Sequence, residues 1–356
     1  MKKHVVFVVP KLAGGGAERV MAMLANQMVI QGISVTFLMT LDSEKKYDLD
    51  NRIGIVVNKG KKSPLAQMLF IRKYAALHKN NTFISFFTYQ NIYLLLATKL
   101  LKCKVIVSER NDPRRTTHGR KSMEVLRKFL YAGASNVVFQ TRDAKEYFDK
   151  RIQKKGIIIE NPLSIEDLPE IYDGNREKNI VAVARINKQK NLPMMMKALA
   201  SVFATRNDYC FKLYGQCEPG DEQLVEDLKG MTVQLGISEK VKFVGFRSNV
   251  SELIRKDALY VSSSDFEGIS NSMLEALAIG LPAVCTDCPV GGARMYIKNG
   301  KNGFLTPVGD DKCFSQAILD TIEHYEKMES EAKKCAQQLR NQLKISSICE
   351  KWIKLI

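Results

Sequence analysis

Two glutamates, Glu267 and Glu275, are separated by seven residues whose types could hold a phosphorylated sugar. The pattern predicts a loop followed by a helix over residues 271–279, and the backbone N–H groups at a helix start can bind a phosphate. A carboxylate on either side could accept hydrogen bonds from sugar hydroxyls. The alternative is that Glu275 is a surface charge, but its apolar neighbours Leu274 and Ala276 favour a largely buried position, where carboxylates are rare unless paired or functional.

A second pair of residues, Arg185 and Lys190, lies between a predicted strand and a predicted helix. A guanidinium can bind two phosphate oxygens at once, and an ammonium adds a point charge beside it. Together they could hold a diphosphate. The alternative is that both side chains are solvated surface cations.

Three consecutive glycines, Gly14, Gly15 and Gly16, lie between the first predicted strand and the first predicted helix. Glycine lets the backbone approach a ligand closely. The run departs from the dinucleotide-binding fingerprint, because Arg19 stands where its third glycine would fall, and the chain has no GxxxxGK[ST] motif, which disfavours a nucleoside triphosphatase. A plain tight turn is the alternative.

Three other patterns have simpler explanations. Asp48 and Asp50 form a DxD pair, but they lie in a polar loop away from the predicted site, which disfavours a Mg²⁺ role. Cys285 and Cys288 form a CxxC pair without the second ligand pair that a zinc site needs, so a structural role is favoured. His118 lies in a basic stretch and could be a catalytic base, although a mobile loop is the favoured interpretation.

The elements that must position these residues alternate between short apolar strands and helix-length segments. This rhythm appears twice and predicts an α/β protein made of two Rossmann-like, doubly wound domains with parallel sheets. We expect domains at residues 1–163 and 164–340, with 164–178 as a linker, 312–329 as one helix, and a carboxyl-terminal helix within 341–356 crossing back to the first domain. Ligands of such sheets bind outside the carboxyl ends of the strands, so the cleft between two facing domains is the expected site.

The net charge is distributed unevenly along the chain. The 356 residues carry a net charge of +16, and residues 1–165 hold 29 basic and 12 acidic residues, a net +17. A segment with this excess of positive charge attracts a phosphorylated ligand, an anionic membrane surface or a polyanion. Nucleic acid is disfavoured, because no basic helix with interleaved aromatic residues is present. No run of about 20 apolar residues and no signal peptide is visible, so we expect a cytoplasmic protein with reduced cysteines.

Taken in their order along the chain, these segments resemble family 4 retaining glycosyltransferases, which have the GT-B fold. The resemblance covers nearly the whole chain. It includes the Glu-x7-Glu segment, the Arg185 and Lys190 pair, the stretch 14–19, the Asn161-Pro162 turn and the tail 302–310. The stretch 108–113 resembles enzymes of bacterial surface-polysaccharide pathways.

The resemblance implies roles for individual residues. Arg185 and Lys190 would bind the diphosphate of a nucleotide sugar, Glu267 would bind hydroxyls of the donor sugar, and Glu275 would bind the ribose. Phe246 would lie near the nucleotide base. The other donor-binding residues would be Gly15, Gly16, Gly268, Ile269, Ser270 and Asn271. On the acceptor side, Arg110 stands where some relatives have histidine, and Asn111 and His118 would lie near it.

The resemblance also implies a reaction. We expect retaining transfer of a sugar from a UDP-sugar to a glycan acceptor linked to a lipid diphosphate, in bacterial surface polysaccharide synthesis, with no cofactor and no metal. The enzyme would contact the anionic inner face of the cell membrane peripherally and would bind no nucleic acid. A sugar-nucleotide epimerase or a phosphorylase on the same scaffold remains an alternative, because a fold alone does not decide the reaction.

Overall fold

The computed structural model describes residues 3–43, 47–117 and 119–356. The chain divides into two compact units, one formed by Met1–Pro162 together with Leu343–Ile356 and the other by Leu163–Gln342. Each unit has one all-parallel sheet with helices in its crossover connections. The predicted α/β fold class with two Rossmann-like units is therefore confirmed.

The sheet of the first unit has seven parallel strands in the order β3-β2-β1-β4-β5-β6-β7. Its strands are β1 (His4–Val9), β2 (Ser34–Met39), β3 (Gly54–Val57), β4 (Thr82–Ser85), β5 (Lys104–Glu109), β6 (Asn136–Phe139) and β7 (Gly156–Ile158). Its helices are α1 (Gly16–Ile30), α2 (Pro64–Leu77), α3 (Thr88–Thr98), α4 (Lys121–Tyr131), α5 (Arg142–Glu146) and α6 (Lys150–Gln153).

The sheet of the second unit has six parallel strands in the order β10-β9-β8-β11-β12-β13. Its strands are β8 (Glu177–Val183), β9 (Cys210–Tyr214), β10 (Val241–Gly245), β11 (Asp257–Ser262), β12 (Ala283–Thr286) and β13 (Gly303–Thr306). Its helices are α7 (Leu192–Thr205), α8 (Glu222–Gln234), α9 (Val250–Ile254), α10 (Asn271–Ala278), α11 (Asp311–Glu323) and α12 (Tyr325–Gln342), and α13 (Ile345–Ile353) belongs to the first unit.

Burial explains why the central strands could be predicted. Every residue from Val5 to Val9 of β1 is fully buried, as expected for a strand covered by helices on both faces. Two short strands, β3 and β13, were not predicted from the sequence. Each has only four residues and begins with glycine, which weakens the sequence signal of a strand.

Two predictions for the second unit were wrong. The single helix expected over residues 312–329 is two helices, because α11 ends at Glu323 and α12 begins at Tyr325, with the non-helical His324 between them. The expected linker is tied to the unit. Its Arg176 has a fully buried side chain, whose Nε lies 2.8 Å from Glu329 Oε1, and whose guanidinium donates to the carbonyl of Asp257 at 3.3 Å.

The last helix, α13, packs on α1 in the first unit. Trp352 is fully buried, and its ring stacks on Phe86 with 5.2 Å between centroids. Lys351 Nζ lies 2.8 Å from Glu160 Oε2, beyond the end of β7. Helix α13 therefore completes the core of the first unit, which begins with β1. Within the described parts of the chain, no helix has both the length and the apolar character that a bilayer crossing needs.

We predict that Ile348→Ala, at a fully buried position of α13, destabilises the first unit by about 2–5 kcal/mol, because it leaves a cavity in a packed core. Trp352 is the only tryptophan, so its fluorescence during urea unfolding of the full chain reports on this unit. Glu350→Ala, at an exposed position of the same helix, is the matched control and should change stability little. Equal effects of the two substitutions would show that α13 is not part of this core.

Candidate active site

The loops that follow β8 and β11 meet at one point of the second sheet. These strands are neighbours, and the chain leaves them in opposite directions, β8 towards β9 and β11 towards β12. Such a reversal opens a crevice at the carboxyl ends of the strands, where open α/β sheets bind ligands. Lys190 follows β8 and Glu267 follows β11, so the order of the strands brings these two predicted residues together.

Lys190 and Glu267 form an ion pair at this point. Lys190 Nζ lies 2.8 Å from Glu267 Oε1, and the two side chains are 13% and 19% exposed. Gln189 Nε2 donates to the same oxygen at 2.6 Å and to the carbonyl of Phe266 at 2.8 Å. The pair therefore joins the two loops while part of each charged group stays accessible.

Three polar residues hold the loop after β8 in position. Asn191 has a left-handed backbone with φ of 42°, and its side chain accepts a hydrogen bond from the first turn of α7. Its Nδ2 donates to Asp265 Oδ1 at 2.7 Å, and Ser263 Oγ donates to the carbonyl of Lys190 at 2.7 Å. Sequence reasoning missed these contacts, although Asn191, Ser263 and Asp265 follow the same two strands and the strand order would have identified them.

The predicted phosphate cradle lies at the start of α10. Ser270 caps this helix, with its hydroxyl accepting from the backbone N–H of Met273. Ser272 Oγ lies 3.1 Å from Ser270 Oγ and 3.0 Å from the hydroxyl of Tyr260. The N-terminus of a helix carries a partial positive charge, so this end of α10 favours an anion.

The segment after β12 closes tightly on the same loop. A Cβ added at Gly292 would lie 1.8 Å from the carbonyl oxygen of Gly268, so only glycine allows this approach. Glu267 and Ser270 of this loop line a small pocket together with Cys288 of the segment after β12. Burial raises the pKa of the Cys288 thiol to about 12, which keeps it protonated near neutral pH.

The other residues predicted for the second unit lie in different surroundings. Arg185 is exposed and pairs with the exposed Glu218, with 2.8 Å between Nη1 and Oε1. Glu275 is partly buried in the second turn of α10, and Ile269 is buried. Phe246 follows the edge strand β10 and is 61% exposed.

Residues predicted in the first unit lie at the start of α1 and after β5. Gly15 is the cap of α1 and Gly16 its first residue. Arg110 directly follows β5, and its guanidinium lies 4.7 Å from the centre of the Phe86 ring. Asn111 Oδ1 accepts from the backbone N–H of Asp112 at 2.8 Å. His118 lies outside the described residues.

The DxD pair lies in the loop between β2 and β3. Asp50 is bound by Arg52, with 2.6 Å between Oδ2 and Nη2, and this contact lowers the pKa of Asp50 to about 2. Asn26 donates to the backbone carbonyl of Asp48 at 3.0 Å. Within residues 3–43, 47–117 and 119–356, no group of three His, Cys, Asp or Glu side chains is arranged to hold a metal ion.

Two Rossmann-like units, each with one parallel sheet, fit the GT-B fold of glycosyltransferases. The family model of the glycosyl transferases group 1 matches residues 142–341, more than half of the chain, and the protein belongs to this family. The predicted enzyme class is thereby confirmed.

Curated relatives match almost the full length. The chain is 26% identical, over 98% of its length and 97% of the relative's, to a Campylobacter jejuni GalNAc-alpha-(1->4)-GalNAc-alpha-(1->3)-diNAcBac-PP-undecaprenol alpha-1,4-N-acetyl-D-galactosaminyltransferase. It is 25% identical, over 91% of both chains, to the N-acetylgalactosamine-N,N'-diacetylbacillosaminyl-diphospho-undecaprenol 4-alpha-N-acetylgalactosaminyltransferase of the same organism. The predicted likeness to bacterial glycan-building enzymes is therefore confirmed.

Solved structures share the fold. HepE from Anabaena in complex with UDP-glucose superposes with a TM-score of 0.84 at 18% identity, covering 99% of this chain and 98% of that one. Sucrose-phosphate synthase from Thermosynechococcus elongatus superposes with a TM-score of 0.86 at 12% identity, covering 99% and 98%. At these identities, the likeness describes the fold alone.

We predict that Gly292→Ala destabilises the second unit by about 1–3 kcal/mol, because the new methyl group would collide with the backbone at Gly268. Gly230→Ala is the control. Gly230 lies inside α8 with open space around it, so alanine there should stabilise the helix by about 0.5–1 kcal/mol. Chemical unfolding of both variants should therefore give changes of opposite sign, and a stabilised Gly292→Ala variant would contradict the close packing.

Proposed function

We propose that this enzyme transfers a sugar from a UDP-sugar to a glycan acceptor linked to a lipid diphosphate, with retention of the anomeric configuration and without a metal ion. The observation that carries the proposal is the Lys190–Glu267 pair beside the N-terminus of α10. It combines a cation for a diphosphate with a carboxylate for sugar hydroxyls. The resemblance of the Glu-x7-Glu segment to retaining family 4 enzymes supports the stereochemistry.

Lys190 would bind the leaving diphosphate. Its ammonium is mostly buried, so a phosphate there interacts with it through less water than at an exposed site. Negative charge grows on the diphosphate as the glycosidic bond breaks, and a fixed cation stabilises that charge. Arg185 would add a second cation. Its exposed pair with Glu218 is worth at most about 1 kcal/mol, so a phosphate can replace this carboxylate at small cost.

The donor would extend from this pair along α10. The positive end of the helix, with Gly268, Ile269, Ser270 and Asn271, would bind the donor phosphate and sugar, and Glu275 would accept bonds from the ribose hydroxyls. Phe246 would lie near the base.

Transfer then follows from these positions. The acceptor hydroxyl attacks the anomeric carbon from the face that the diphosphate leaves. The bond between this carbon and the phosphate oxygen breaks, the new glycosidic bond forms, and the acceptor's proton passes to the departing diphosphate. Glu267 would hold the sugar hydroxyls in place, and the cations of Lys190 and Arg185 would take the charge-stabilising part that a metal ion has in other enzymes.

The acceptor class rests on the relatives and on the charge of the first unit. Both Campylobacter enzymes named above carry a diphosphate-linked undecaprenol in the names of their substrates. Residues 51–108 of this chain contain ten lysines and arginines and no acidic residue. Anionic lipids attract such residues by about 1 kcal/mol each near the surface.

Exposed leucines lie in the same basic segment. On α2, Leu65 and Leu69 lie about one turn apart and are 62% and 57% exposed, and Leu77 at the end of the helix is 75% exposed. Lys61, Lys62 and Lys73 lie next to them in the sequence. Apolar side chains beside lysines suit a peripheral contact with an anionic membrane, where the enzyme would meet a lipid-linked acceptor.

We predict that UDP raises the unfolding temperature of the protein, that EDTA leaves this effect unchanged, and that GDP, ADP and NAD have little effect. A ligand at 100 times its dissociation constant adds about 2.7 kcal/mol of stability, which thermal unfolding detects. Dependence of the UDP effect on Mg²⁺ would contradict the metal-free mechanism, and a larger effect of GDP or ADP would contradict the UDP donor.

Substitutions at the ion pair make this prediction sharper. Lys190→Ala should weaken UDP binding at least tenfold, because it removes the cation. Glu267→Gln should bind UDP at least as tightly as the original protein, because Lys190 is no longer shared with a carboxylate. Lys229→Ala, which breaks an exposed pair with Glu226 on α8, is the control and should leave UDP affinity unchanged. Equal losses in both ion-pair variants would indicate a purely structural pair.

We also predict that the Leu65→Asp/Leu69→Asp variant loses most of its binding to vesicles that contain anionic lipid. The added charges repel the surface and remove the apolar contact. Val233→Asp in α8, where valine is 67% exposed, is the matched control in the other unit. Vesicle co-sedimentation at low and high salt measures the effect, since salt screens the attraction. Equal binding of the original protein to neutral and anionic vesicles would contradict the membrane contact and leave the transferase proposal intact.

A further inference from the structure

A fully buried ion pair lies at the end of β5 in the first unit. Glu109 is the last residue of this strand and Arg127 lies on α4; neither side chain is exposed, and Oε1 and Nη1 are 3.7 Å apart. The hydroxyl of Tyr131 donates to Glu109, and that of Thr88 lies 3.3 Å from Oε2. Burial raises the pKa of Glu109, while these three partners lower it.

Arg127 extends this pair to the loop that follows the strand. Its Nη1 donates to Thr116 Oγ1 at 2.8 Å, and its Nη2 donates to the carbonyl of Pro113 at 3.0 Å. Its guanidinium also lies 5.1 Å from the centre of the Phe148 ring. The buried side chain of Arg127 thus joins the end of β5, the helix α4 and the loop after β5. It holds in place the backbone of this loop, which begins with Arg110.

Arg110 is the residue directly after Glu109. Unlike Arg127, it has no carboxylate partner among the described residues. Its guanidinium lies over the ring of Phe86, and its Nη2 donates to the amide oxygen of Asn161. Asn161 Oδ1 is also bound by Gln140 Nε2, at 2.7 Å. These contacts are to neutral groups, and no ion pair to Arg110 is found among the described residues.

One nitrogen of Arg110 is left without a partner. Its Nη1 is buried, and among the residues that the structure describes it makes no hydrogen bond. A buried cation whose charge and N–H groups are not compensated is costly, and burial lowers the pKa of Arg110 to about 9. Arg127, 17 positions along the chain, differs in its charge, which faces Glu109, although its Nε is also buried without a hydrogen bond among the described residues.

The surroundings of Arg110 come from several strand ends. Phe86 follows β4, Gln140 follows β6 and Asn161 follows β7, so they lie at the edge of the sheet where the parallel strands end. Phe86 in turn stacks on the buried Trp352 of α13. The guanidinium therefore rests on a packed support and has little freedom to turn towards another partner.

We propose that Arg110 binds a phosphate oxyanion of a substrate and that Glu109 and Arg127 are positioning residues for it. The phosphate supplies the negative charge that the protein itself does not place beside Arg110. The assignment rests on the proposed function, because that function identifies the phosphate as part of the acceptor's diphosphate. The donor diphosphate is the other source, and the experiment separates the two.

The test is calorimetric titration of the full chain with inorganic pyrophosphate, with and without saturating UDP. We expect pyrophosphate to bind the UDP-saturated protein and Arg110→Gln to weaken this binding at least tenfold. Arg142→Gln is the control, because the Arg142 side chain is 81% exposed and pairs only loosely with Glu146 at 3.5 Å. Arg110-dependent binding that persists with UDP bound assigns the phosphate to the acceptor, whereas binding that UDP abolishes assigns it to the donor.

Stability measurements distinguish a binding role from a structural one. Arg110→Gln should unfold at the same temperature as the original protein or a higher one, because it removes an uncompensated buried charge. Unchanged pyrophosphate affinity in Arg110→Gln, or a marked loss of stability in this variant, would overturn the proposal. Neither result depends on UDP binding, so the donor proposal stands or fails separately.

The positioning role of Arg127 is tested by the pyrophosphate affinity of a conservative variant. Arg127→Lys keeps a positive charge for Glu109 but cannot reach both Thr116 and Pro113, so we expect a several-fold loss of pyrophosphate affinity with UDP affinity unchanged. Trp352 fluorescence checks that the first unit is folded in each variant. If Arg127→Lys folds and binds pyrophosphate as tightly as the original protein, Arg127 has no positioning role.

Discussion

The ion pair between Lys190 and Glu267 is the interaction on which the candidate site depends. Each of the two loops at the switch point of the second sheet contributes one partner, and the neighbouring contacts, from Asn191 to Asp265 and from Gln189 to Glu267, bring the same loops together. Removing one partner of a largely buried pair leaves the other charge uncompensated, which is costly. The protein therefore holds these two loops together with its own carboxylate and ammonium.

The two units use the same kind of pair in different ways. Glu109 and Arg127 have no exposed side-chain surface, whereas Lys190 and Glu267 are 13% and 19% exposed. A completely buried pair cannot exchange partners with a ligand, so it acts on backbone geometry. A pair that is partly open to solvent can exchange partners. Burial, more than residue type, therefore distinguishes a pair that only supports the backbone from one that is able to exchange partners.

The sequence predicted those features that depend on local pattern. Strands such as β1, buried along its length, and the glycine and serine residues before α1 and α10 have local signatures. The pair of Glu109 and Arg127 has none, because its partners are 18 residues apart on different elements and only packing brings them together. Arg176 was likewise hidden in a polar stretch that resembles a linker, although its buried guanidinium ties that stretch to the second unit. The roles of the individual site residues remain predictions.

The return of α13 to the first unit has a consequence for biosynthesis. Residues 1–162 leave the ribosome first, but the helix that covers α1 and carries Trp352 is made only after the whole second unit. During translation the apolar surface that α13 will cover is open to water, including the ring of Phe86. Exposed apolar surface of this kind makes a partly made chain prone to association. The second unit, contiguous in sequence from Leu163 to Gln342, has no such delay, so it can finish folding before the unit that precedes it.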